Sequence, residues 1–107
     1  MSEPKEESTI KKTLGTFAPK LVELTDDVLF GDVWARTELS PRDRSLITVA
    51  ALIMGGNSEQ LPFHLNKARE NGLTETEIVE IITHLAFYAG WPKAMSAITV
   101  AKDVFKK

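Results

Sequence analysis

Punctuation constrains this chain more than its composition does. "LSPRDR" at 39–44 is a helix-start signal: Ser40 can cap, Pro41 suits the first helical position, and Asp43 follows three residues after the cap. That helix is expected to run to Gly55-Gly56. Ser58 can cap the next one, which carries Leu61, His64, Leu65 and Ala68 on one face before "ENG" closes it at Gly72. Thr74 and Glu77 have the spacing of a capping box, and the helix they open is expected to end at Gly90. Pro92 restarts a last helix. Upstream, Pro19 can open a helix through "PKLVELTDDVLFGDVW", with Leu21, Leu24, Val28 and Leu29 as its stripe. No segment alternates apolar and polar residues long enough for a strand, and no internal repeat stands out. The expectation is an all-α fold of about five or six helices, one compact helical domain over 1–107 with 1–10 as a flexible tail.

Two of these helices are too apolar for a chain of 107 residues to bury alone. Every face of "LITVAALIM" at 46–54 is apolar or small. In "EIITHLAFYAGWP" at 80–92, Ile81, Ile82, Leu85 and Ala89 belong to a full core stripe that starts at Ile78, yet Phe87, Tyr88 and Trp91 lie elsewhere on the cylinder. Exposed together, they form an adhesive patch. A homo-oligomer follows as the expectation.

A net charge of −2 offers no general attraction to nucleic acid or anionic lipid, so neither nucleic acid nor membrane is expected as a partner. The longest apolar stretch is far short of the roughly 20 residues of a membrane span. No apolar signal segment opens the chain. The absence of cysteine removes disulfides, thiolate metal sites and thiol redox chemistry together, and it fits a cytoplasmic location.

A few polar residues can carry chemistry. His64 sits between Leu61 and Ala68 on an apolar face, either as a core or interface histidine or as a general acid/base. Glu80, His84 and Tyr88 form an i, i+4, i+8 column, either a proton path or a hydrogen-bonded ladder in an interface. Arg42 and Arg44 lie near a helix start, where the macrodipole disfavours cations, so acidic partners or a bound anion should compensate. Arg36 can join either arrangement. Glu80 and His84 with His64 form a two-histidine-one-carboxylate combination, but no tight ligand motif occurs, and neither metal nor cofactor is expected. Neither a phosphate-binding glycine loop nor a G-x-S-x-G elbow is present.

Three blocks, "FGDVWARTELSPRDRSLITVAALI", "LPFHLNKARENGLTETEI" and "ITHLAFYAGWPKAMSA", resemble the carboxymuconolactone decarboxylase-like family in order and register over about residues 30 to 100. The resemblance implies a compact helical fold assembled as trimers and commonly hexamers, in the alkylhydroperoxidase D-like superfamily. It implies a cofactor-free lyase of aromatic-compound catabolism acting on a small carboxylated lactone or related organic acid. His64 would be its acid/base and Arg44 a holder of the substrate carboxylate, with Arg36 a second candidate. Tyr88 and Trp91 would shape the pocket, which Glu80 and His84 border. The superfamily's peroxidases carry C-x-x-C upstream of the matching histidine. Those places fall near Asn57 and Gln60, so thiol peroxidase chemistry is excluded here. The N-terminal part is closer to a broader subgroup of undefined substrate than to the protocatechuate-pathway decarboxylases. An oligomeric module that binds a small acid or another protein without turnover is the alternative.

Overall fold

A computed structural model of the chain describes residues 8–106. Among these residues all regular structure is helical: α1 (Thr9–Leu14), α2 (Pro19–Glu23), α3 (Pro41–Gly55), α4 (Leu61–Glu70), α5 (Glu75–Ala89) and α6 (Trp91–Val104). The all-α expectation holds. The helices fall into two compact units, Met1–Glu38 and Leu39–Lys107.

In the N-terminal unit, the Ser8 hydroxyl caps α1 by accepting from the Lys11 N–H at 3.0 Å, and it donates to Asp26 at 2.9 Å. The first seven residues of the expected tail lie outside the described residues, while 8–10 open α1. The single long helix expected from Pro19 is instead broken into three pieces. α2 is five residues long, Leu24–Phe30 is π-helical, and Val33–Ala35 is a 3-10 turn. Local chemistry accounts for the change. Thr25 donates its hydroxyl back to the Leu21 carbonyl at 2.8 Å, a contact that bends helices, and Asp26 and Asp27 follow with poor helix propensity. Phe30 and Trp34 pack with ring centroids 5.9 Å apart.

The C-terminal unit follows its punctuation closely. The Ser40 hydroxyl accepts from the Asp43 N–H at 3.0 Å, and α3 ends at Gly56, whose φ of 69° suits glycine. Thr74 and Glu77 form the reciprocal capping box of α5. Gly90 turns the chain at φ 102°, and α6 starts at Trp91 with Pro92 in its first turn. One start differs. Ser58 does not cap α4; Gln60 stands at that position without a side-chain cap bond, and the helix opens on Leu61-Pro62.

α5 packs on α6, α3 on α4 and α5, and α4 on α6. Val49 and Ile53 of α3, Leu61, Leu65 and Ala68 of α4, and Ile78, Ile82 and Ala86 of α5 fill the core. The buried residues of α6 are small: Ala94, Ala97 and Ala101 form an i, i+3, i+7 stripe that lets its backbone approach its neighbours closely, with Ile98, Val100 and Val104 packed beside it. Within this core Ser45 is fully buried, and its hydroxyl accepts from the Asn71 amide at 3.0 Å. Replacing Asn71 by alanine removes that donor and should lower unfolding stability by about 1–3 kcal/mol, measured by urea denaturation. A change within error would mean that the bond does not hold α3 to the end of α4.

Candidate functional site

Helix α4 places His64. Leu61, Leu65 and Ala68 define its buried stripe, and at about 100° per residue His64 lies at the edge of that stripe, half-buried. Burial holds its imidazole below the usual histidine value, because the charged form is poorly solvated there, and the Lys67 cation one turn on acts in the same direction. The Phe63 ring stands perpendicular to the imidazole, with centroids 4.9 Å apart.

Arg44, half-buried near the start of α3, lies on a helix that packs against α4. The two helices run antiparallel across a short connection, and the Ser45–Asn71 bond fixes their register. His64 is seven residues back along α4 from Asn71. Its backbone therefore sits roughly 10 Å along the pair from that of Arg44, at 1.5 Å per residue. A ligand engaging both must span much of that length or meet the guanidinium at the end of its long stem.

The Glu80 and His84 positions come together elsewhere, in a cleft of about 380 Å³ between α3 and α5. Leu46, Ala50, Ile81 and Leu85 supply its apolar surface, and Arg42 and Glu77 stand in its wall. Tyr88 continues the column: its ring stacks on that of His84, with centroids 5.0 Å apart and 28° between planes. Trp91 packs edge-on against Phe87 at 5.5 Å. Both Tyr88 and Trp91 are exposed in the single chain. Arg36, in the N-terminal unit, is exposed and lies 3.6 Å from Glu38. Among the described residues, no group of three or more histidine, aspartate or glutamate side chains could hold a metal ion. No helix among them is long and apolar enough to cross a membrane.

Sequence reasoning expected an acidic partner or a bound anion at Arg42 and assigned Glu77 only a capping role. Arg42 ion-pairs with Glu77, which also closes the α5 capping box. The Thr74 backbone N–H is the main cause that holds the Glu77 carboxyl below its usual range, with Arg42 contributing. The signal was present in the sequence, since an arginine in a helix's first turn needs an acidic partner. What was missing was the contact that brings α5 beside it.

A family model for the carboxymuconolactone decarboxylase family matches residues 19–103, and the chain belongs to that family. It is 40% identical over 77 residues to a 4-carboxymuconolactone decarboxylase of Acinetobacter baylyi, covering 72% of this chain and 58% of that protein. It is 36% identical over 80 residues to a nitrosuccinic acid decarboxylase of Metarhizium robertsii, covering 75% and 56%. An uncharacterised 15.0 kDa protein of Paracoccus denitrificans is 30% identical over 81 residues, covering 74% and 60%. The chain therefore spans somewhat more than half the length of these relatives.

The direction of the His64 shift has a consequence for stability. The folded imidazole binds its proton less tightly than the unfolded one, whose ordinary value is 6.5. Below that value the unfolded chain takes up the proton first, so stability falls as pH drops from 6.5 towards the folded value. Urea midpoints measured at about pH 7.5 and about pH 5.5 should differ less in His64→Gln than in the parent chain. Equal differences would remove His64 as a source of the acid sensitivity.

Proposed function

We propose that this chain is a cofactor-free decarboxylase of a small carboxylated lactone or related organic acid, working as a homo-oligomer. The observation that carries the reading is His64, a half-buried imidazole at the rim of the core, in a chain whose named relatives are decarboxylases. In such a reaction the bond to the carboxylate carbon breaks, carbon dioxide leaves, and the electron pair stays on the organic fragment. That fragment then takes one proton. His64 delivers the proton, and Arg44 holds the substrate anion. Tyr88 and Trp91 supply apolar surface around the substrate. The cysteine-free composition is compatible with the reducing cytoplasm.

A specific observation favours a second reading, an oligomeric binding module without turnover. Glu80 and His84 line a cleft that also holds Glu77, and the excess of acid there is unfavourable for a carboxylated substrate. The two readings separate in one assay. Purified protein incubated with 4-carboxymuconolactone should release carbon dioxide, and His64→Ala should lower that rate about 100-fold or more. Full activity in the variant would end the acid/base role; binding without release in the parent chain would favour the module.

The proposed assembly rests on apolar surface left open by the single chain. Phe87, Tyr88, Trp91 and Met95 are each more than half exposed around the α5–α6 corner, and Ile47 is exposed on α3. A patch of that kind is normally covered. Sedimentation should give three or six times the chain mass, and Trp91→Lys should shift the distribution towards smaller species. A monomer at micromolar concentration would end the proposal.

A further inference from the structure

Around α4 the side chains step outward from the core in a fixed order. Leu61, Leu65 and Ala68 are buried, His64 lies at the edge of their stripe, Lys67 comes further round, and Phe63 is the outermost of this set and half-exposed. Phe63 neighbours His64 in sequence, and successive helical residues diverge by about 100°, so contact between their rings requires both side chains to turn towards each other. They do: the centroids are 4.9 Å apart and the planes meet at 88°. An edge-to-face pair is attractive at this distance and selects one mutual orientation, because the positive ring edge seeks the negative face.

We propose that Phe63 is a positioning residue for His64: its perpendicular ring fixes the imidazole plane and so decides which way the two ring nitrogens point. Leucine or methionine at 63 would preserve apolar bulk but not the directional contact. Tyrosine would preserve both. The core stripe is untouched by any of these changes, since Phe63 is about half exposed while Leu61 and Leu65 are fully buried. The value of a fixed plane rests on the acid/base reading of His64, because proton transfer needs the donor nitrogen aimed at the reacting carbon. The positioning itself does not depend on turnover.

The chain has two histidines, so its imidazole NMR signals are few and separable. His84, stacked on Tyr88, serves as an internal control. In Phe63→Leu and Phe63→Met, the His64 ring-proton shifts and tautomer-sensitive nitrogen shifts should move while those of His84 stay. Phe63→Tyr should keep the parent pattern. Unchanged His64 signals in both aliphatic variants, with circular dichroism showing intact helix, would overturn the inference. With 4-carboxymuconolactone as the probe, the aliphatic variants should lose on the order of 10- to 100-fold in kcat with little change in KM, and tyrosine should restore it. If the parent chain releases no carbon dioxide, the decarboxylase reading fails, and the NMR comparison still decides the role of Phe63.

Discussion

The start of α3 is where the C-terminal unit is pinned. Ser45 is buried there without access to water, so its hydroxyl needs a protein partner, and Asn71 at the end of α4 supplies one. One turn earlier Arg42 reaches Glu77 at the start of α5. Three helix ends are thereby tied at one place, although 26 residues separate Ser45 from Asn71 and 35 separate Arg42 from Glu77. The ion pair is part-exposed and contributes little by itself. Its importance is geometric, because Glu77 is also the capping residue that decides where α5 begins. Once that junction is set, the antiparallel register of α3 and α4 follows, and with it the distance between Arg44 and His64.

How much of this could be read from the sequence depended on whether the signal was local. Ser40, Gly56, Thr74, Glu77 and Gly90 act on the turn they sit in, and each does so at the expected place. The stretch after Pro19 failed because its apolar spacing is helical while Thr25, Asp26 and Asp27 prefer other backbone bonds. Periodicity records the first influence only. For the site, the column Glu80-His84-Tyr88 was legible because helical spacing alone stacks its members, and the His84–Tyr88 ring contact follows directly. The cleft it borders was not legible. Its opposite wall comes from Arg42, Leu46 and Ala50, and only tertiary packing makes them neighbours.

That cleft and the His64 region differ in the charge they offer. Arg42 is already paired with Glu77, which leaves the Glu80 carboxylate facing an otherwise apolar space beside His84. An organic acid entering there meets a like charge at the exposed Glu80 carboxylate. On α4 Lys67 and Arg69 outnumber Glu70, and at the start of α3 Arg42 and Arg44 outnumber Asp43. Electrostatics thus sorts the two polar centres: an anion is favoured near α4 and disfavoured between α3 and α5.

The depressed proton affinity of His64 is at first sight awkward for a proton donor. At neutral pH the imidazole rests uncharged, and a neutral imidazole is a poor acid. Burial and the Lys67 cation cause that state, and both persist whatever occupies the space beside the ring. A carboxylate arriving there opposes both: it attracts the imidazolium and offsets the field of Lys67. Under the proposed reading, substrate binding and proton uptake would be coupled, with each favouring the other. In the proposed reaction, loss of carbon dioxide would move the negative charge from the carboxylate onto the organic fragment, which then takes the proton.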